Sequence, residues 1–479
     1  QLGRNMKAIS KFDLCVIGAG SGGLSVAAGA AQMGARVVLV EKGKMGGDCL
    51  NYGCVPSKAL LSAAHKAHYM QDGKEFGIKQ NGIDINFRSV HNHVHDVIEG
   101  IAPQDSVERF ESLGVTVIKS KAKFMDARRV RAGSKIIMPR YTVIATGSSA
   151  AIPNIPGLAD IDYLTNENVF DLTRAPRHIV IIGGGPLGVE MAQALKRLGS
   201  EVTILESKRL LPKSDHELAE VVSAQLRKEG IRVVEETNII QISQRRGGAV
   251  IHIADGKSVR DIDASHVLVA TGRRPNFDEL DLDKAGVLFS ENGIEIDRRL
   301  RTTNKRVFAI GDVIGGTQQT HAAGYHAGIV IRNTLFRLPA KADLSVMPRA
   351  VYTSPEVAEV GLTESEASQI YSGVKSLKWN FDDNDRARAE REIAGLVKIV
   401  VSKRGKILGA GIVGKNAGDL ITPWTLAMQE ELKISSMANL IAAYPTRSEA
   451  SKRAAGSFYS PALFGKGTRR LVRFLSMFG

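Results

Sequence analysis

Leu14-Cys15-Val16-Ile17-Gly18-Ala19-Gly20-Ser21-Gly22-Gly23 is an apolar run that breaks into a glycine turn. A helix-forming stretch follows, then Ala35-Arg36-Val37-Val38-Leu39-Val40-Glu41. The same order returns at His178-Ile179-Val180-Ile181-Ile182-Gly183-Gly184-Gly185-Pro186-Leu187-Gly188, closed by Glu201-Val202-Thr203-Ile204-Leu205-Glu206. Each copy reads strand, Gly-x-Gly-x-x-Gly turn, helix, strand and terminal acid. Gly18 and Glu41 lie 23 positions apart, as do Gly183 and Glu206. One such fingerprint is weak, but two in the strand–turn–helix setting are specific for dinucleotide binding. Gly18 and Gly183 allow the tight turn. Gly20 and Gly185 let the backbone approach a pyrophosphate, which the helix N-terminus then holds. Gly23 and Gly188 let helix pack on strand. Glu41 and Glu206 are placed for ribose hydroxyls.

Two more apolar segments end in Thr-Gly, at Tyr141-Thr142-Val143-Ile144-Ala145-Thr146-Gly147 and His266-Val267-Leu268-Val269-Ala270-Thr271-Gly272. Each closes one nucleotide-binding segment. Arg306-Val307-Phe308-Ala309-Ile310-Gly311-Asp312 is a further strand ending in an acid at a glycine turn. The layout nests one dinucleotide domain in another: residues 1–150 and 275–346 for the first, 151–274 for the second. From about Met347 the texture changes. Strand-like runs at Leu396 to Val401 and Ile407 to Val413, with a helical stretch from Ile421 to Leu432, predict an α+β domain with an antiparallel sheet over 347–479.

The chemistry centres on Gly46-Gly47-Asp48-Cys49-Leu50-Asn51-Tyr52-Gly53-Cys54-Val55-Pro56-Ser57-Lys58. Four residues separate the sulfurs, a spacing suited to a local bridge across a bent helix start. Pro56 fits a first helical turn. Cys54 then sits at the positive end of a helix, where a thiolate is stabilised. The pair reads as redox-active. With three cysteines in 479 residues the chain is no disulfide scaffold, and Cys15 reads as a buried strand residue. Sparse cysteines with one close pair suit a reducing cytoplasm.

The formal net charge is +14, yet the Lys and Arg residues are scattered and aromatics make up only 5%. No basic stripe interleaved with aromatics appears, so no nucleic-acid partner is expected. Gln1 to Ser10 lack the apolar core of a signal peptide, and no apolar run reaches transmembrane length. His91, His93 and His95 alternate, but no cysteine or acidic cluster completes a ligand set, so no metal site is expected.

Together the cysteine motif, both glycine fingerprints, Ala-Thr-Gly-Arg-Arg-Pro-Asn at 270–276 and Ala-Ile-Gly-Asp at 309–312 resemble the pyridine nucleotide-disulfide oxidoreductases. That family includes dihydrolipoamide dehydrogenase, glutathione reductase and mercuric reductase. The resemblance runs from about Phe12 to about Gly456. It implies an α/β fold of two Rossmann-like domains, for FAD and NAD, plus a C-terminal α+β dimerisation domain, working as a homodimer on a disulfide or dithiol substrate. It implies that Gly18, Gly20, Gly23 and Glu41 hold the ADP half of FAD. Thr146, Gly147, Gly311 and Asp312 belong to the same site, with Asp312 on the ribityl chain and the turn at Thr320 and His321 facing the flavin pyrimidine edge. Cys54 is the sulfur beside the flavin and Cys49 the one that meets substrate. Lys58 and Glu190 match a family pair near flavin N5. Gly183, Gly185, Gly188, Glu206 and Gly272 serve the nicotinamide cofactor. Glu206 favours NAD(H) over NADP(H), since it would repel a 2′-phosphate, although Lys208 and Arg209 follow closely.

The pattern breaks near the C-terminus. The disulfide reductases carry His-Pro-x-x-x-Glu there, with the histidine supplied by the partner subunit. This chain reads Ala443-Tyr444-Pro445-Thr446-Arg447-Ser448-Glu449. Tyr444 replaces the acid–base histidine while Glu449 remains. A tyrosine with an ordinary pKa near 10 is a poor proton shuttle at neutral pH. Tyr-x-Thr-x-x-Glu is similar to mercuric reductase, yet no cysteine follows Cys54 to deliver a metal ion, nor does a metal-binding domain with paired cysteines precede the first fingerprint. His321 and His326 are the candidate replacement bases. Finally, Lys466 to Gly479 can form a helix with Arg470 and Arg473 opposite Leu471, Leu475 and Phe478. Such a helix can lie on an anionic membrane, but packing on a partner subunit or fraying is the preferred reading.

Overall fold

A computed structural model describes residues 10–71, 73–79, 82–256, 258–316 and 318–478. The reading of Gln1 to Ser10 as lacking a signal sequence falls on residues 1–9, outside the described residues. The chain forms two compact units. The first comprises Gln1–Gly183, Arg197–Val202 and Asn238–Asp343; the second comprises Gly184–Lys196, Thr203–Thr237 and Leu344–Gly479.

The first unit is organised by a sheet whose parallel strands are Thr116–Lys119, Val37–Glu41, Ser10–Ile17, Lys135–Ile144 and Val307–Ala309 in spatial order. Residues 37–40, Val307–Ala309 and residues 14–17 of the central strand are apolar and buried, as inner strands covered on both faces must be, whereas the edge strand Thr116–Lys119 is partly exposed. Leu14, Cys15 and Val16 are fully buried, which confirms Cys15 as a core residue. Burial also pushes its thiol pKa up to about 12. The register aligns the strand ends. Ile17 lies opposite Val40 and Ile144, and Ile144 lies opposite Ala309. The residues that follow therefore emerge along one edge: Gly18, Glu41, Thr146, Gly147, Gly311 and Asp312. That is the carboxyl edge of a parallel sheet, where such folds bind ligands.

The second nucleotide-binding segment divides between the units. Strands His178–Ile182 and His266–Val269 pair in parallel in the first unit, beside an antiparallel sheet of Ile239–Arg245, Gly248–Asp255 and Ser258–Ala264. In the second unit, Thr203–Leu205 pairs in parallel with Arg232–Val234.

The second unit also contains the expected antiparallel sheet, in the order Arg349–Val351, Glu356–Gly361, Ile407–Gly414, Leu396–Val401, Lys375–Asn380. Its core gathers Phe381, Trp424, Ile399 and Ile412, and the Trp424 indole donates to Ser451 Oγ at 3.1 Å. The helix expected over Ile421 to Leu432 is shorter. It runs Thr422–Gln429, preceded by a separate turn of helix at Ala417–Leu420. Pro423 restarts the helix in its first turn, and Glu431 adopts a left-handed φ of 50° that ends it. Among the described residues, no helix is long and apolar enough to cross a membrane.

Candidate active site

The glycine turn at 18–23 is built by close backbone approach. A Cβ on Gly18 (φ 105°) would stand 2.3 Å from the Ala145 carbonyl oxygen, and one on Gly23 would stand 1.9 Å from the Gly18 oxygen. Gly20 begins the Ser21–Gln32 helix without any side-chain cap, leaving the first amides for a ligand. Glu41 pins the turn by accepting from the Ala19 amide at 2.6 Å and the Gly43 amide at 2.5 Å. The second copy repeats this atom for atom. Glu206 accepts from the Gly184 amide at 2.7 Å and the Lys208 amide at 2.9 Å. In both copies the acid binds the residue after the first glycine and the residue two positions beyond itself. The sequence repeat is thus a structural repeat. Gly183 (φ 113°) packs on the Ala270 carbonyl as Gly18 does on Ala145.

The cysteine segment docks on that first turn. Gly46 and Gly47 both have positive φ, and a Cβ on Gly47 would stand 2.6 Å from Gly20 Cα. Cys49 lies in the short Gly47–Asn51 helix, and Cys54 opens the Cys54–Gln71 helix as expected. Neither forms a disulfide here. Their protons are unequally shared. The hydrogen bond from Cys49 is the main cause that brings the Cys54 pKa down to about 6; the Thr320 hydroxyl, 3.3 Å from Cys54 Sγ, and the Lys58 ammonium add to it against the opposing effect of burial. Donating that bond, together with burial, drives the Cys49 thiol well up. At neutral pH the pair is a Cys54 thiolate beside a Cys49 thiol.

A polar chain that the sequence did not announce ties this segment to Asp312. Asp48 accepts from Asn166 Nδ2 at 2.9 Å and pairs with Arg273 Nη2 at 3.1 Å. Arg273 Nε donates to Ser148 Oγ at 2.7 Å, and Ser148 donates to Asp312 at 2.6 Å. Burial, the largest influence, raises the Asp312 pKa against the Ser148 and Arg273 contacts. Arg273 stands in the quoted 270–276 motif, so a signal existed; nothing in local spacing marked Asp48, Ser148 or Asn166. The Thr-Gly ends at 146–147 and 271–272 close together. Arg273–Pro275 pairs antiparallel with Ser148–Ala150, and Thr146 Oγ1 donates to the Asn276 carbonyl.

Other expected residues are placed as follows. His321 is in the first turn of the Thr320–Thr334 helix. His326 is buried, accepts from the Gly311 amide at 3.2 Å through Nδ1, and has its pKa lowered to about 4 by burial. It is held neutral against the backbone, which removes it as the substitute base. Lys58 belongs to the first unit. Glu190 is buried in the second and accepts from the Tyr352 amide at 2.9 Å. Tyr444 is exposed and donates to Asp385 Oδ2 at 2.9 Å, which raises its pKa. Glu449 is engaged by Arg453 Nη2 at 2.9 Å. The rings of His91 and His95 lie 4.2 Å apart at a tilt of 39°, and among the described residues no group of three or more His, Cys, Asp or Glu is placed to hold a metal ion.

The FAD that this arrangement implies fits the residues present. The uncapped Ser21 helix opens beside the glycine turn. Gln319 Oε1, at the uncapped start of the Thr320 helix, is buried with no partner among the described residues. That atom needs a donor, and a flavin imide supplies one. Residues 12–327 match the family model "Pyridine nucleotide-disulphide oxidoreductase", and residues 347–455 match its dimerisation domain. The chain belongs to the pyridine nucleotide-disulphide oxidoreductases. It is 35% identical to mercuric reductase of Bacillus cereus over 450 residues, 93% of this chain and 71% of the relative. It is 36% identical to dihydrolipoyl dehydrogenase of Geobacillus stearothermophilus over 455 residues, 92% of this chain and 94% of the relative. Among solved structures it is similar to the HOCl-induced flavoprotein disulfide reductase RclA from Escherichia coli, at TM-score 0.82 and 25% identity, covering 93% of this chain and 99% of that one. The family is FAD-dependent and uses NAD(P)H. Its dimerisation domain supports a homodimer.

Proposed function

We propose that this enzyme passes electrons between NADH and a disulfide or dithiol through Cys49 and Cys54, in the manner of dihydrolipoamide dehydrogenase. The observation that carries this is the division of labour in the cysteine pair: a Cys54 thiolate near pKa 6 beside a protonated Cys49. FAD, when bound, relays an electron pair between the nicotinamide and this pair. Gly18, Gly20, Gly23, Glu41, Thr146, Gly147, Gly311, Asp312 and His321 hold it, within the nested domains bounded at 150, 274 and 346. Gly183, Gly185, Gly188, Glu206 and Gly272 hold the nicotinamide cofactor. Lys58 keeps negative charge stable at the Cys54 sulfur. With the pair reduced, Cys49 attacks one substrate sulfur and releases the other as a thiol. Cys54 then attacks the Cys49 sulfur, which frees the second substrate thiol and leaves the Cys49–Cys54 disulfide. Each attack is by a thiolate, so a proton must leave Cys49 and reach the departing sulfur.

That proton step is where a second reading enters. Tyr444 is protonated at neutral pH as any phenol is, and its hydrogen bond to Asp385 raises its pKa further, so it serves badly as a base. A substrate that needs no such base, such as a soft metal ion bound by the two sulfurs, favours a mercuric reductase-like activity. A redox-sensing flavoprotein with low turnover is the third possibility. Steady-state NADH consumption with lipoamide, oxidised glutathione, Hg²⁺ and quinones separates them. Lipoamide turnover should be slow, and Tyr444→His should raise it about 10²-fold once Arg453→Ala releases Glu449 to orient the ring. Wild-type lipoamide turnover as fast as flavin reduction would mean another group carries the proton.

A further inference from the structure

The last helix, Lys466–Leu475, has two faces of opposite character. Lys466, Arg469, Arg470 and Arg473 recur at i, i+3, i+4 and i+7, a single stripe at 3.6 residues per turn. Leu471, Val472, Phe474 and Leu475 occupy the opposite arc, and Phe478 extends it, its ring 5.0 Å from that of Phe474. These five apolar side chains are between 55% and 74% exposed, in a protein whose large apolar residues are otherwise mostly in cores. No acidic residue occurs from Lys466 to Gly479.

We propose that this helix lies in the surface of an anionic lipid bilayer, its apolar arc in the acyl boundary and its basic stripe among the headgroups. The charge decides the occupant. A second copy of a chain with net charge +14 presents an unfavourable field to four clustered cations. The cores of protein interfaces are moreover depleted in charged residues. An anionic lipid surface complements both faces at once. The match to the dimerisation domain ends at residue 455, ahead of this helix, so the subunit contacts that the domain supports do not require it. The helix would place a disulfide reductase at a membrane surface without spanning it.

The test is flotation of the FAD-loaded full chain with phosphatidylcholine vesicles, with and without phosphatidylglycerol. Binding should require the anionic lipid and fall as salt rises, because exposed charges are screened. Arg469→Gln and Arg470→Gln should each weaken binding about fivefold. Phe474→Ser with Leu475→Ser should weaken it further while the sedimentation coefficient of the dimer and its NADH-driven flavin reduction stay unchanged. Equal binding to both vesicle types, or to neither, overturns the proposal. So does dissociation of the dimer in the Phe474/Leu475 variant, which would assign the helix to the partner subunit.

Discussion

Two sulfurs five positions apart in the chain carry opposite protonation states. Cys54 starts a helix, faces the Thr320 hydroxyl and receives the Cys49 proton as a hydrogen bond. Thiolate is present above its pKa and lost below it. The long-wavelength absorbance that a Cys54 thiolate gives beside oxidised flavin should therefore be full at pH 8 and disappear with a midpoint near pH 6. Thr320→Val removes one hydrogen bond to the thiolate, worth about 1 kcal/mol, and should move that midpoint up by somewhat less than about one pH unit. A midpoint that ignores the substitution would take Thr320 out of the site. A second residue-scale prediction concerns cofactor choice. Arg209 was, with Lys208, one of the two cations placed by sequence to welcome a 2′-phosphate. Its guanidinium instead donates to the carbonyls of Leu210, Leu211, Pro212 and Ser214. On the proposed reading Glu206 sets the preference. NADH should exceed NADPH in kcat/KM by about tenfold or more, a difference of about 1.4 kcal/mol. Equal use of the two cofactors would show that Lys208 outweighs the carboxylate.

At the scale of elements, the glycine turn and the cysteine segment form one object. Gly47 at φ 59° packs on Gly20, and the two motifs lie close in sequence only by the length of one strand–turn–helix unit. Gly47→Ala would drive a Cβ to 2.6 Å of Gly20 Cα, where neither backbone can yield. It should cost about 1–3 kcal/mol of stability and release FAD, read as a lower Tm and a flavin-poor preparation. A variant with full flavin and unchanged Tm would mean that the turn and the cysteine segment move independently. The turn, the helix starts and the two acids were legible in the sequence because backbone chemistry fixes them locally: only glycine fits against Ala145 and Ala270, and only an acid at that distance reaches the following amide. The Asp48–Arg273–Ser148–Asp312 chain was not, since it joins positions up to 264 apart whose spacing carries no period. Nor was the Arg453 partner of Glu449, an ordinary i, i+4 pair that on sequence alone reads as solvent-exposed. The helix expected to reach Leu432 ends at Gln429, because the left-handed φ of Glu431 is a backbone choice that residue type did not signal.

For the whole molecule, the chain divides function between two compact units. The cysteine pair and the Asp312 network belong to the first unit. Glu206, Glu190, Tyr444 and the antiparallel sheet of the dimerisation domain belong to the second. On the proposed function both are needed, since Glu206 of the nicotinamide site lies in the second unit and the two sulfurs lie in the first. The proposed electron path requires those two sulfurs to be its terminus, with Cys54 as the inner one. The direct measurement is anaerobic titration of the FAD-loaded protein with NADH, followed by absorbance, in wild type, Cys49→Ser and Cys54→Ser. Wild type should take up two electrons and show the long-wavelength band. Cys49→Ser should show it without reduction, and Cys54→Ser should bleach directly without ever showing it. A band that survives Cys54→Ser and vanishes in Cys49→Ser would reverse the roles of the sulfurs, and wild-type protein that bleaches with no band at all would remove the pair from the electron path.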